Sequence, residues 1–80
     1  MKILYSKTSL KYLQALDKKT RKRIFFGIEK LPNKGHVKKM KGRKLKNIYR
    51  LRIGKYRIIF LQEKEWIKIL DIDTRGDVYK

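Results

Sequence analysis

Residues 48–60 read IYRLRIGKYRIIF, and this stretch decides the fold. Gly54-Lys55 fits a two-residue hairpin loop, with glycine at the first central position as a type II′ turn requires. That loop sets the register: Ile53 opposite Tyr56, Leu51 opposite Ile58, Tyr49 opposite Phe60. These six side chains share one face, and all are apolar or aromatic. The opposite face carries Arg52 directly across from Arg57, with Arg50 two residues along from Arg52. Like charges facing each other across a ladder cost about 0.2–1 kcal/mol. Folding alone gives no reason to place two arginines there, whereas holding a phosphate does.

Outward from the hairpin, the flanking segments complete an α+β domain. Lys2–Ser6 (KILYS) is a short strand candidate. Over Lys7–Leu16, Leu10, Leu13 and Leu16 recur at helical spacing, and Ser6 or Thr8 is placed to cap the helix. Asp17 reads as the N-cap of a second helix over Lys18–Leu31, whose buried stripe is Ile24, Ile28 and Leu31, joined by Phe25 but not by Phe26. Pro32 stops it. Asn33–His36 is predicted as a loop, Val37–Met40 as a strand, and the chain through Asn47 as a basic loop. After the hairpin, Glu63-Lys64 turns into a last strand over Trp66–Asp73. This strand is apolar on both faces, which predicts an interior position or a partly covered second face. The order is an N-terminal strand, a two-helix hairpin and an antiparallel meander, with the helices packed on one sheet face. Arg50, Arg52 and Arg57 are then left on the open face.

Composition narrows the function. The chain has 80 residues, with 24 Lys and Arg against 7 Asp and Glu, a formal charge of +17. That length predicts one small domain over residues 1–80. Between Lys30 and Gln62 there is no acidic residue. Charge this dense is a cost to the compact state and favours a polyanionic partner: nucleic acid, an acidic protein or an anionic membrane surface. Lys38, Lys39, Lys41, Arg43, Lys44 and Lys46 of the basic block, with Lys80 at the chain end, are the candidates for holding such a partner, RNA or a ribosome among them. The absence of cysteine excludes disulfides and thiolate metal sites. The N-terminal apolar run is too short for a secretory signal, and the Ile58–Leu61 run is far too short to span a bilayer, so a cytoplasmic protein is expected.

Most common catalytic constellations are missing. His36 is the sole histidine and reads as a surface loop residue. No carboxylate spacing indicates an acid/base pair or a metal cage, and there is no phosphate-binding glycine loop. No metal or cofactor is expected. Arginine, lysine and tyrosine remain. Arginine presents a planar, permanently charged fork that matches phosphate, and several arginines on one phosphate stabilise a pentavalent transition state. A cationic cluster also makes a nearby lysine or tyrosine a better base. On the residues alone, metal-free RNA cleavage and simple phosphate binding both fit.

The helical hairpin, the Lys41-Gly42 loop, the YRLRIGKYRIIF hairpin and the ending RGDVYK together resemble the RelE/ParE toxin superfamily over essentially the whole chain. The hairpin pattern is the specific part. The resemblance implies a toxin of a type II toxin–antitoxin pair. It further implies a metal-independent endoribonuclease that enters the ribosomal A site and cuts mRNA through 2′-hydroxyl attack, inhibiting translation. Arg50 and Arg52 match the two basic positions of the first hairpin strand. Arg57 matches the arginine that stabilises the transition-state phosphate. Arg75 matches an arginine that protonates or stabilises the leaving 5′-oxygen, and Tyr79 a tyrosine that stacks on or activates the attacking nucleotide. Implied partners are a cognate antitoxin, the ribosome and mRNA, with a monomeric free toxin and no membrane. Two departures stand out. Thr74 occupies a position where many relatives carry histidine, and arginine at both Arg50 and Arg52 leaves no lysine there to act as base. A ParE-like toxin acting on DNA gyrase and a non-enzymatic RNA-binding module are the alternatives.

Overall fold

The computed structural model describes residues 2–31, 36–39 and 47–74, and for 36–39 the backbone only. The elements run β1 (Lys2–Tyr5), α1 (Lys7–Ala15), α2 (Lys18–Glu29), β2 (His36–Lys39), β3 (Ile48–Ile53), β4 (Tyr56–Gln62) and β5 (Trp66–Asp73). The five strands form one sheet in the order β1-β5-β4-β3-β2. β5 is therefore interior, as its apolar composition predicts. Every pair is antiparallel except β1 with β5, which is parallel.

Both helices begin as the capping residues dictate. The Ser6 hydroxyl accepts from the Ser9 amide, and the Asp17 carboxylate accepts from the Thr20 amide. Hydrogen bonds from Thr20, its side chain first and its amide second, hold the Asp17 carboxyl below the usual aspartate range. Leu16 and Asp17, both extended, are the whole connection between the helices. α2 ends at Glu29 rather than Leu31. Its last turn tightens, with the Leu31 amide donating to the Ile28 carbonyl at 3.0 Å, which still buries Leu31. Pro32 lies outside the described residues.

The stripe of α1 differs from the expectation. Leu10 is 40% exposed, while Ser9 and Leu13 are buried and Tyr12 and Leu16 pack against the core. Ser9 takes a core position because its hydroxyl has partners there: it lies 2.9 Å from the Ser6 carbonyl oxygen and 3.3 Å from that of Ile69. α2 follows its predicted stripe, with Ile24 and Ile28 buried and Phe26 63% exposed. Gly27 lets α2 lie close to β3, since a Cβ there would collide with Ile53.

The helices cover one sheet face. Leu13, Ile24, Ile28 and Leu31 meet Leu51, Ile58, Phe60, Ile67, Ile69 and Ile72 in a single core. Each such apolar side chain contributes about 1.5–3 kcal/mol of burial. Tyr49 stacks on Phe60 at 5.6 Å between ring centroids, and Tyr56 meets Tyr12 edge-on at 6.4 Å, so both hairpin tyrosines are packing residues as their parity predicts.

Candidate nucleic-acid interface

The β3–β4 hairpin has the predicted register, including Arg52 opposite Arg57. Gly54 adopts φ 58°, the left-handed conformation that the first position of a type II′ turn needs. Arg50, Arg52 and Arg57 therefore share the face away from the helices. Directly opposed residues sit about 4.5–5.5 Å apart at Cβ, and alternate residues on one strand about 7 Å apart. Three arginine arms rooted this close are long enough to converge on one phosphate.

Two carboxylates from β5 join the arginines on this face. β5 carries a bulge. Ile59 pairs with Asp71 but Phe60 pairs with Ile69, so Leu70 has no residue opposite it on β4. Before the bulge, Ile67 and Ile69 face the helices; after it, Ile72 does. The extra residue reverses parity, and Asp71 and Asp73 come to lie on the open face beside Ile59 and Arg57. The bulge is tied to the start of α1. The Ser6 amide donates to the Ile69 carbonyl at 2.9 Å, and the Ser6 hydroxyl donates to the Leu70 carbonyl at 2.8 Å.

Arg57 Nη2 and Asp73 Oδ2 lie 3.2 Å apart in a salt bridge whose two side chains are each 23% exposed. Arg57 Nε is buried, and no acceptor among the described residues reaches it. Arg52 is exposed and Arg50 half-buried. The cost of opposing Arg52 and Arg57 is thus partly offset by Asp73 on the third strand.

β2 brings further residues to this region. His36 pairs with Arg52 and Lys38 with Arg50, while Lys39 pairs with Tyr49. His36 is therefore the first residue of a strand rather than part of a loop. The strand starts one residue earlier than predicted because its ladder extends to Arg52. Lys41, Arg43, Lys44, Lys46, Arg75, Tyr79 and Lys80 lie outside the described residues, as does Met40.

Two other tyrosines are poorly suited to be bases. Burial pushes the Tyr12 hydroxyl above its ordinary value; a hydrogen bond with Thr74 acts the other way, and Tyr56, Asp73 and Asp71 add to the rise. Burial, then Glu29, likewise raises Tyr5. Among the described residues no group of three or more His, Asp or Glu is placed to hold a metal ion, and no helix is long and apolar enough to cross a membrane.

The same architecture recurs in solved structures. The toxin–antitoxin complex RelB-RelE from Methanococcus jannaschii matches with a TM-score of 0.74 at 33% identity, over 95% of this chain and 94% of that chain. The archaeal RelE-RelB complex from Pyrococcus horikoshii OT3 matches with a TM-score of 0.71 at 33% identity, over 94% of each. The YoeB dimer from Staphylococcus aureus matches with a TM-score of 0.68 at 25% identity, over 89% of this chain and 92% of that chain. No curated protein sequence matches. The family described as the ParE toxin of type II toxin-antitoxin system, parDE, matches residues 3–79. A match over nearly the whole chain, together with a shared fold at 33% identity to RelE, shows that this chain belongs to the RelE/ParE superfamily of toxins of type II toxin–antitoxin systems.

Proposed function

We propose that the chain is a ribosome-dependent mRNA endoribonuclease that cuts in the A site and so inhibits translation. The observation that carries this reading is the arginine triad on the open sheet face, with Arg52 opposite Arg57 and Arg50 on the same strand. In the proposed reaction the ribose 2′-oxygen attacks the adjacent phosphorus and the bond to the 5′-oxygen breaks. The products are a 2′,3′-cyclic phosphate and a free 5′-hydroxyl. Arg57 neutralises the charge gathering on the non-bridging oxygens, and Arg50 and Arg52 hold the phosphate. Arg75 protonates or stabilises the leaving 5′-oxygen, and Tyr79 stacks on or activates the attacking nucleotide. With arginine a poor base, Tyr79 or Lys80 takes the 2′-hydroxyl proton, and the ribosome's positioning of the codon compensates for a weak base. The basic block Lys38, Lys39, Lys41, Arg43, Lys44 and Lys46 grips ribosomal RNA.

The protein acts in the cytoplasm, and its partner is a cognate antitoxin. A net charge of +17 favours an acidic or amphipathic antitoxin segment that covers the open face and neutralises its arginines. The relatives from M. jannaschii and P. horikoshii, solved as toxin–antitoxin complexes, support an antitoxin as the partner.

Primer extension on mRNA in programmed ribosomes tests the reading. An A-site cut by the wild type, lost in Arg57→Ala with ribosome binding retained, supports it; equal loss of cutting and binding reduces the face to a binding surface. The family match to ParE toxins favours a second reading, a non-cleaving toxin that acts on DNA gyrase. A supercoiling assay separates the two.

A further inference from the structure

The salt bridge on the open face involves a residue to which none of the arginine roles extends. We propose that Asp73 is a positioning residue for Arg57, fixing its guanidinium in the orientation that meets the reacting phosphate. The inference rests on the RNA-cleaving reading above.

Three observations carry it. Asp73 Oδ2 holds Arg57 Nη2 at 3.2 Å, while the inner donor, Nε, is buried without an acceptor among the described residues. A phosphate on the open face therefore meets the outer end of the guanidinium, and Asp73 determines which way that end is turned. The second observation is the bulge. Asp73 reaches this face only because Leu70 is inserted, and the hydroxyl and amide of Ser6 anchor the inserted segment. Bulges often serve to re-aim a side chain. The third is the sign of the charge. A carboxylate beside an anion site weakens anion binding, so affinity gives no reason for Asp73 to be there. Orientation does, because a free arginine arm must surrender rotamer entropy each time it meets its phosphate, and one already held does not.

Asp73→Asn keeps the shape, removes the charge and loosens Arg57. Binding is measured on programmed ribosomes whose A-site codon carries 2′-O-methyl riboses, so that no cutting occurs. Cutting is measured as a single-turnover rate on unmodified mRNA at saturating toxin. The variant is expected to bind as tightly as wild type or a few-fold tighter, and to cut roughly 10- to 100-fold more slowly. An unchanged rate overturns the proposal, as does a loss of affinity matching the loss of rate.

A readout independent of cutting comes from the Arg57 side-chain nitrogens by NMR. Rotation of the guanidinium about Nε–Cζ is slow in the wild type and fast in Asp73→Asn if Asp73 holds it; equal rotation overturns the proposal. If the wild type cuts no mRNA, the cleavage reading fails and this NMR comparison alone decides whether Asp73 positions Arg57. A cooperative thermal transition in Asp73→Asn establishes that the variant is folded in every arm.

Discussion

Replacing Arg52 with glutamine should make the protein more stable and less active. Arg52 lies directly opposite Arg57, an arrangement that costs about 0.2–1 kcal/mol. Two features place the gain in the lower part of that range. Asp73 already offsets the Arg57 charge at 3.2 Å, and Arg52 is exposed, so solvent screens the repulsion. The expected gain is about 0.2–0.5 kcal/mol, a rise in melting temperature of about 1–4 °C for a domain this size. Removing the offset should enlarge it. In an Asp73→Asn background the same substitution should approach the top of the range, and a four-protein cycle measures the difference as a coupling energy. Thermal unfolding at low ionic strength supplies the numbers. Repeating it at about 1 M salt should erase the gain, since the screening length falls to about 3 Å. A less stable Arg52→Gln at low salt, a gain that survives at high salt, or an equal gain with and without Asp73 would refute the electrostatic account of this face. In the functional assay the same substitution should weaken cutting.

Other outcomes follow from the rest of the structure. Phe60→Ala removes a fully buried ring at the centre of the core and should cost about 3–5 kcal/mol in urea unfolding, a large share of a small domain's stability. Ser9→Ala removes the hydroxyl that lies against the Ser6 and Ile69 carbonyl oxygens, each of which keeps a backbone amide donor, and should cost about 0.5–1.5 kcal/mol, with faster amide exchange around the bulge. Gly54→Ala forces a Cβ into left-handed backbone against the Arg23 guanidinium and should destabilise by about 1–2 kcal/mol. Asp17, whose folded-state pKa is depressed by its bond to Thr20, stabilises fully above the unfolded-state pKa of about 4 and loses this as the pH falls through the folded value. Acid unfolding of Asp17→Asn, compared with wild type from about pH 5 to 2, should lack that contribution.

Much of this architecture was legible in the chain because local rules and global fold agree. Ser6 and Asp17 stand where helices need caps, and Gly54 stands where the hairpin needs a positive φ. Alternation through residues 48–60 then assigns every side chain to a face. The face of β5 was harder to read because its alternation breaks. Ile67 and Ile69 are two apart, but Ile72 follows after three, and the turn at Glu63-Lys64 does not fix the register. That two-then-three spacing is the sequence trace of the bulge, and it would have moved Asp71 and Asp73 to the arginine face. The pairing of β1 with β5 was not legible either, since KILY has no turn or register mark pointing to a strand more than sixty residues away. Leu10 reads as core because it is a leucine at helical spacing, whereas Ser9 fills that position by meeting the carbonyl groups of Ser6 and Ile69. His36 read as a loop residue because Gly35 precedes it, while the ladder with β3 reaches back to include it.

The match over residues 3–79 shows the family, whereas the proposed cleavage rests on three arginines and the residue that holds one of them. Primer extension on mRNA in programmed ribosomes, with chelator present, tests that chemistry most directly. The account predicts a cut within the A-site codon by the wild type, a 2′,3′-cyclic phosphate on the upstream fragment, and loss of both in Arg57→Ala at undiminished ribosome binding. Full-length mRNA after incubation with the folded wild type would contradict it.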